Sequence, residues 1–124
     1  MKNLLKNTLK NAPGRCGRSF VYSWRGLKAV FRGEESFRLE TLAFLAMLAA
    51  LAASPWPAWK RLFLIGSFLL IPLAEIVNSA IEDICDGITR EPSPWVKNAK
   101  DKGALAVLAA IIANAFILFA LLLA

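Results

Sequence analysis

Three long apolar stretches follow one another along the chain, and polar segments separate them. They begin near Thr41, Leu62 and Gly103, and each is long enough for a helix that crosses a bilayer, which takes about twenty residues. Pro55 is expected to end the first helix, and Pro72 is expected to kink the second, as membrane helices tolerate. The pattern predicts an all-α membrane protein with transmembrane helices at about 38–54, 60–86 and 101–124.

The residues before the first apolar stretch predict helices that lie on the membrane surface. Between residues 15 and 32, large apolar side chains recur at helical spacing, with basic side chains on the opposite face. A turn is expected at Pro13 and Gly14, after a short basic segment at residues 1–11. We therefore expect residues 1–32 to form amphipathic surface helices, and residues 1–124 to form a single membrane-embedded domain.

The second apolar stretch carries a polar stripe. At about 100° per residue, its polar side chains share roughly a third of the helix circumference. Carboxylates at bilayer depth cost free energy, so such residues normally face a protein interior and mark function. One three-helix protomer offers few surfaces to enclose the stripe, which predicts a homo-oligomer with sites near subunit contacts. The stripe consists of Glu75, Asn78, Ser79, Glu82 and Asp86.

Composition supports a small integral membrane protein. The 124 residues are 57% hydrophobic, with no histidine and a net charge of +6. Nine of the fifteen Lys and Arg residues precede the first apolar stretch, so the positive-inside rule explains the charge, and a nucleic-acid partner is not expected. The basic loop predicted at residues 87–102 lies on the same side. We therefore expect a cytoplasmic N-terminus. Because the chain has no histidine, a bound metal ion would have oxygen ligands.

The spacing of the acids suggests phosphoryl transfer to a lipid. Glu75 and Glu82 are seven residues apart, or about 10 Å along a helix, so they lie at different depths. The deeper Glu75 could take a proton from a buried hydroxyl, while Glu82 could share a cation with Glu34. From spacing alone, Glu75 and Asn78 could equally serve interhelical hydrogen bonding. The sequence lacks a GxxxxGK[ST] loop and protein-kinase motifs, so any ATP site would be of another kind.

Four stretches of the chain resemble the prokaryotic diacylglycerol kinase family, small integral membrane lipid kinases of bacterial inner membranes. They cover nearly the whole chain, and the third is the most specific. The stretches are Tyr22-Ser23-Trp24-Arg25-Gly26-Leu27, Glu34-Glu35-Ser36-Phe37-Arg38, Glu75-Ile76-Val77-Asn78-Ser79-Ala80-Ile81-Glu82 with Asp86, and Ala99-Lys100-Asp101-Lys102-Gly103.

The resemblance implies a homotrimer of three-span protomers in the bacterial inner membrane. Each protomer would transfer the γ-phosphate of MgATP to diacylglycerol, giving phosphatidic acid, at active sites shared between neighbouring subunits. Glu75 matches the catalytic base, with Asn78 beside it, and Glu34 and Glu82 match ligands of Mg²⁺ that also meet the ATP phosphates. Further ATP contacts would come from Arg15, Tyr22, Glu91, Pro92, Ser93, Lys100 and Asp101. Lipid contacts would come from Arg15, Arg18, Ser23, Trp24, Arg61, Glu75 and Ala104.

Three other functions remain open from the sequence. An undecaprenol kinase would use the same scaffold and a different lipid acceptor. A small proton-coupled exporter would use Glu75 as a titrating carboxylate and need no ATP. A purely structural membrane-assembly protein would tolerate the change Glu75→Leu.

Overall fold

The computed structural model describes the backbone of residues 12–124 and the side chains from residue 17 onward. The predicted basic segment at residues 1–11 and the side chain of Arg15 lie outside this part. Five helices follow one another, and no strand occurs in the described part of the chain, which confirms the all-α prediction. They are α1 (Ala12–Gly33), α2 (Glu35–Ala53), α3 (Ala58–Phe68), α4 (Leu70–Ile88) and α5 (Pro94–Leu123).

Three helical segments are long and apolar enough to cross a membrane, as predicted. They are α2, the continuous run Ala58–Ile88 formed by α3 and α4, and α5. The chain separates into two compact units, the first ending at Gly33 and the second comprising Glu34–Ala124. The second unit contains all three candidate spans. That residues 1–124 act as one domain stays a prediction.

The first unit contains α1. The turn predicted at Pro13 and Gly14 is wrong, because α1 begins at Ala12 and includes both residues. Proline is well tolerated in the first turn of a helix, where its missing N–H would have no intrahelical partner. Further along α1, the Lys28 ammonium lies 5.5 Å from the centre of the Trp24 ring.

Proline residues account for the end of the first span and for the interruption within the second. Helix α2 ends at Ala53, and Ser54 is extended before Pro55, as predicted. Between α3 and α4 the helix is interrupted at Leu69 alone. Pro72 has no N–H to donate to the carbonyl of Phe68, four residues earlier, so one helical hydrogen bond is lost there. The kink predicted at Pro72 stays a prediction, and the structure shows the interruption at Leu69, three residues before it.

Helix α5 begins earlier than the sequence suggested. The polar loop predicted at residues 87–102 is wrong in its length, because α4 continues to Ile88 and α5 starts at Pro94. Pro94 occupies the first turn of the helix, a favourable position for proline. Lys100 and Asp101 consequently lie on a helix.

The second unit packs around two regions. At one end, where α3 begins and α5 ends, Leu51, Leu64 and Leu121 form an apolar core. There the Lys60 ammonium donates to the carbonyl of Leu121 (3.0 Å) near the exposed C-terminus of α5, which favours cations. At the other end, α2 and α5 pack against the polar stripe of α4, in which Glu75 and Ser79 are buried and Asp86 is exposed. Much of the apolar surface of the spans is exposed in the single chain.

Candidate active site

Two hydrogen bonds join α2 to the polar stripe of α4. The hydroxyl of Ser36 donates to Oε1 of Glu75, and the hydroxyl of Ser79 donates to Oε1 of Glu34 (2.9 Å). Both ends on α4 are buried, with Glu75 9% exposed and Ser79 8% exposed. A step of two residues forward on α2 corresponds to four residues backward on α4. The two helices are therefore antiparallel here. The part of the stripe at Glu75 and Ser79 faces protein, as predicted, whereas Asp86 at its other end is exposed.

Glu75 is the deepest acid of the stripe. It lies thirteen residues before the end of α4 at Ile88, which corresponds to about 20 Å along the axis, whereas Glu82 lies about 9 Å from that end. The residues on the opposite face of α4, Val77 and Ile84, are exposed and apolar. A carboxylate at this depth can meet a lipid hydroxyl, while Glu82 can meet groups that approach from water.

Asn78 connects the stripe to α5. Its amide nitrogen donates to Oε1 of Glu82 (2.9 Å), and within the described part of the chain its Oδ1 is buried without a hydrogen-bond partner. Gly103 of α5 lies directly against it: a Cβ atom at this glycine would be 2.2 Å from Oδ1 of Asn78. Because glycine has no side chain, position 103 leaves room for the Asn78 amide.

Gly103→Ala is expected to lower the rate of the phosphoryl transfer suggested by the sequence about tenfold. The new methyl group must displace Asn78, and the hydrogen bond from Asn78 to Glu82 is then lost or distorted. The rate and the thermal unfolding midpoint are measured together. The control is Gly66→Ala in α3, where a Cβ would meet nothing within 4 Å among the described residues. Equal rates for the two variants would contradict the role given to Gly103.

A second carboxylate lies close to Glu75. Glu40 follows Ser36 by four residues on α2, hence on the same helix face, and its charge interacts with that of Glu75. Among the residues the structure describes, no donor satisfies its buried Oε2. An unsatisfied buried acceptor is costly, so this position suits a ligand with a hydroxyl donor.

Glu34 and Glu82 can hold a magnesium ion together with phosphates. Ser79 and Glu82 are three residues apart on α4, so Glu34, which is bonded to Ser79, contacts the same helix face as Glu82. Each carboxylate uses Oε1 in its hydrogen bond. In the described residues, no group of three His, Cys, Asp or Glu side chains could hold a metal ion. A pair of carboxylates nevertheless fits Mg²⁺, which is commonly bound by one or two carboxylates plus substrate phosphates.

The loop between α4 and α5 forms a cleft of about 690 Å³ with the adjoining helix ends. That volume is within the range of small-molecule sites. Across the cleft, the Lys100 ammonium pairs with Oδ1 of Asp86 at 2.6 Å. The structure brings together here all five nucleotide-contact residues predicted for this region, Glu91, Pro92, Ser93, Lys100 and Asp101.

The remaining predicted contacts lie elsewhere. Arg18 and Tyr22 line a shallow cavity of about 280 Å³ on α1, within the first unit, and Ser23 and Trp24 are exposed on the same helix. Arg61 lies near the start of α3, at the far end of its span from Glu82, so the single chain does not bring it to the stripe. Its Nε is buried without a partner among the described residues. Ala104 is exposed beside Gly103 on α5.

Sequence reasoning gave no role to Ser36, Glu40 or Gly103. Ser36 and Gly103 stand inside the stretches that carried the resemblance, and Glu40 belongs to a group of acids at the expected membrane edge. For Glu40 the available signal was a carboxylate directly before the apolar stretch that begins near Thr41. Which of these side chains meets Glu75 or Asn78 depends on how α2 and α5 pack against α4.

Comparison with known proteins identifies the relatives of this chain. A family model for prokaryotic diacylglycerol kinase matches residues 21–122. The protein named diacylglycerol kinase of Escherichia coli strain K12 is 42% identical over 91 residues, covering 73% of this chain and 75% of the relative. Proteins of the same name from a Sinorhizobium species and from Pseudomonas aeruginosa are 39% and 36% identical over 93 and 90 residues. The aligned parts cover 75% and 73% of this chain and 67% and 73% of those relatives.

Proposed function

Because the chain belongs to the prokaryotic diacylglycerol kinase family, we propose that it phosphorylates diacylglycerol with ATP and that Glu75 is its catalytic base. The product is phosphatidic acid. The observation that carries the role of Glu75 is its buried carboxylate, which already accepts a hydrogen bond from a hydroxyl, that of Ser36. A lipid hydroxyl can donate to the same carboxylate in the same way. Its proton then passes to Glu75 as the oxygen attacks the γ-phosphorus, and the bond from that phosphorus to the β,γ-bridging oxygen breaks, so that ADP leaves.

Asn78, Glu34 and Glu82 arrange the groups that meet the phosphates of ATP. Glu34 and Glu82 hold Mg²⁺, which when bound neutralises charge on the phosphates. Asn78 fixes the orientation of Glu82 through its 2.9 Å hydrogen bond. Because Glu82 is about two helical turns from Glu75, phosphate and lipid hydroxyl approach the stripe from opposite directions. ATP therefore arrives from water and the lipid arrives from the bilayer.

The cleft beside Asp86 receives the nucleotide. Lys100 exchanges its ion pair with Asp86 for one with a phosphate, and Asp101 and the loop residues Glu91, Pro92 and Ser93 contact the rest of the nucleotide. The resemblance further implies ATP contacts from Arg15 and Tyr22. For the lipid, it implies contacts from Arg15, Arg18, Ser23, Trp24, Arg61, Glu75 and Ala104.

The protein acts as a homotrimer in the bacterial inner membrane, with its N-terminus in the cytoplasm and α1 as an amphipathic surface helix. The charge distribution supports this orientation, since basic residues precede the first span. The exposed apolar surface of the single chain supports contact with lipid and with other protomers. An active site shared between neighbouring subunits would account for polar atoms at the stripe that one protomer leaves unsatisfied, namely Oε2 of Glu40 and Oδ1 of Asn78, which have no partner among the described residues.

The alternatives receive no comparable support. The similar proteins are named diacylglycerol kinase, which favours diacylglycerol over undecaprenol as the acceptor and a kinase over a proton-coupled exporter. A purely structural membrane-assembly protein would have no need of a buried acid that is placed to accept a hydroxyl proton.

The test is transfer of labelled γ-phosphate from MgATP to diacylglycerol and, in parallel, to undecaprenol in mixed micelles. Label in phosphatidic acid is the expected result. Preferential labelling of undecaprenol would keep the mechanism and replace the acceptor. If folded protein labels neither lipid, the kinase assignment fails, and proton-coupled transport in vesicles becomes the next assay.

Lys100→Met is expected to raise the KM for ATP about tenfold, with little change in the KM for diacylglycerol. The variant keeps the length of the side chain and removes the charge that would pair with a phosphate. Lys102→Met is the matched control, because Lys102 is exposed on the same helix and does not line the cleft. An unchanged KM for ATP in Lys100→Met would remove Lys100 from the nucleotide site.

A further inference from the structure

Ser36 is the group of α2 that bonds to the carboxylate of Glu75. Its hydroxyl donates to Oε1 of Glu75, although the two residues are 39 positions apart in the chain. The serine itself is exposed, whereas only 9% of Glu75 is exposed. An exposed serine at the edge of the site thus donates a hydrogen bond to one oxygen of a buried carboxylate.

The neighbouring polar groups are otherwise engaged or unsuited to the task. On α4, Asn78 donates to Glu82 and Ser79 donates to Glu34. On α2, Oε2 of Glu40 makes no hydrogen bond with any described residue, so it does not hold the Glu75 carboxylate in place. On α5, the stripe meets the bare backbone of Gly103, while the charged residues Lys100 and Asp101 lie at the cleft. Among the hydrogen bonds given for the described residues, the one from Ser36 is the one that reaches Glu75.

Orientation matters because a glutamate side chain has three rotatable bonds. A general base must lie within hydrogen-bonding distance of the proton that it removes, and a carboxylate that samples several rotamers spends less time there. The Ser36 bond uses Oε1. It leaves Oε2 as the oxygen that accepts the proton of the lipid hydroxyl.

We propose that Ser36 is a positioning residue for the catalytic base, holding Oε1 of Glu75 so that Oε2 faces the acceptor hydroxyl. The inference rests on the proposed role of Glu75. It predicts an effect on the chemical step and none on the binding of either substrate, because Ser36 contacts the base and leaves the lipid and the nucleotide to other residues.

Ser36→Ala is expected to lower kcat about tenfold with the KM values for MgATP and diacylglycerol unchanged. The factor should be the same with long-chain and short-chain diacylglycerol, since the acyl chains play no part in orienting Glu75. Ser36→Thr, which keeps the hydroxyl, should stay within about twofold of the unmodified protein. The matched control is Thr41→Val on the same helix, whose lost hydroxyl bonds only to the backbone carbonyl of Phe37 among the described contacts.

Thermal unfolding and size-exclusion profiles in detergent accompany each variant, to separate loss of structure from loss of rate. If Ser36→Ala does not fold, Ser36→Cys replaces it, since a thiol fills the same space and donates weakly; its kcat should fall without a change in KM. An unchanged kcat in a folded Ser36→Ala or Ser36→Cys variant, or a loss of rate that threonine fails to restore, would overturn the proposal.

Glu75→Gln, measured in parallel, separates the two levels of inference. An inactive Glu75→Gln variant beside a fully active Ser36→Ala variant refutes the positioning role and leaves the base assignment intact. An active Glu75→Gln variant refutes the base assignment itself. Loss in both, with threonine restoring the rate at position 36, supports both roles.

Discussion

Glu75→Gln is expected to lower kcat for diacylglycerol phosphorylation by a factor of about 10² to 10⁴, the usual contribution of a general base. The amide has the shape of the carboxylate, and its oxygen can still accept the hydrogen bond from Ser36. It cannot accept the proton of the lipid hydroxyl at neutral pH. The loss therefore isolates proton removal from the packing of α2 on α4.

The measurement is the rate of labelled phosphate transfer to diacylglycerol at saturating MgATP, with assembly followed by size-exclusion chromatography. Glu35→Gln is the control, because Glu35 is exposed in the first turn of α2 and carries the same isosteric change. The control should keep nearly full activity. Substantial activity in a folded Glu75→Gln variant would remove Glu75 from the role of base.

Glu34→Gln and Glu82→Gln should each raise the Mg²⁺ concentration for half-maximal activity about tenfold or more. Either change replaces a negatively charged ligand by a neutral one at a hard, doubly charged cation, which binds carboxylate oxygens strongly. A high concentration of Mg²⁺ should restore part of the activity of both variants.

The experiment is a Mg²⁺ titration of the transfer rate at a fixed ATP concentration. Asp83→Asn provides the control, since Asp83 is exposed next to Glu82 on α4 and lies off the polar stripe. Its titration should match that of the unmodified protein. Titrations of Glu34→Gln and Glu82→Gln that coincide with this control would exclude both acids from the metal site.

The helical spans could be predicted because their signals are local. A run of about twenty apolar residues needs a helix to satisfy its backbone in a membrane, whatever the rest of the chain does. The end of α2 before Pro55 and the interruption near Pro72 follow equally from the chemistry of proline. The start of α5 was misjudged, because the charged residues from Lys97 to Asp101 resemble a loop in composition, although Pro94 begins a helix there.

The candidate site could likewise be predicted only in part. The polar stripe belongs to one helix, so its members could be assigned to a common face from their spacing alone. Hydrogen bonds from Ser36 to Glu75 and from Ser79 to Glu34 join residues that are 39 and 45 positions apart. Such pairs depend on the register of α2 against α4, which no periodicity within a single helix encodes.

The sequence by itself determined that this protein is helical, that it has three apolar spans and that one of them carries acids on a single face. Only the tertiary structure decided which residues meet that polar face: Ser36 at Glu75, Glu34 at Ser79 and Gly103 at Asn78. The physical reason is that hydrophobicity and helical spacing act over a few consecutive residues. Hydrogen bonds between helices require two distant segments to pack at one depth and one rotation, and this is determined by the fold as a whole.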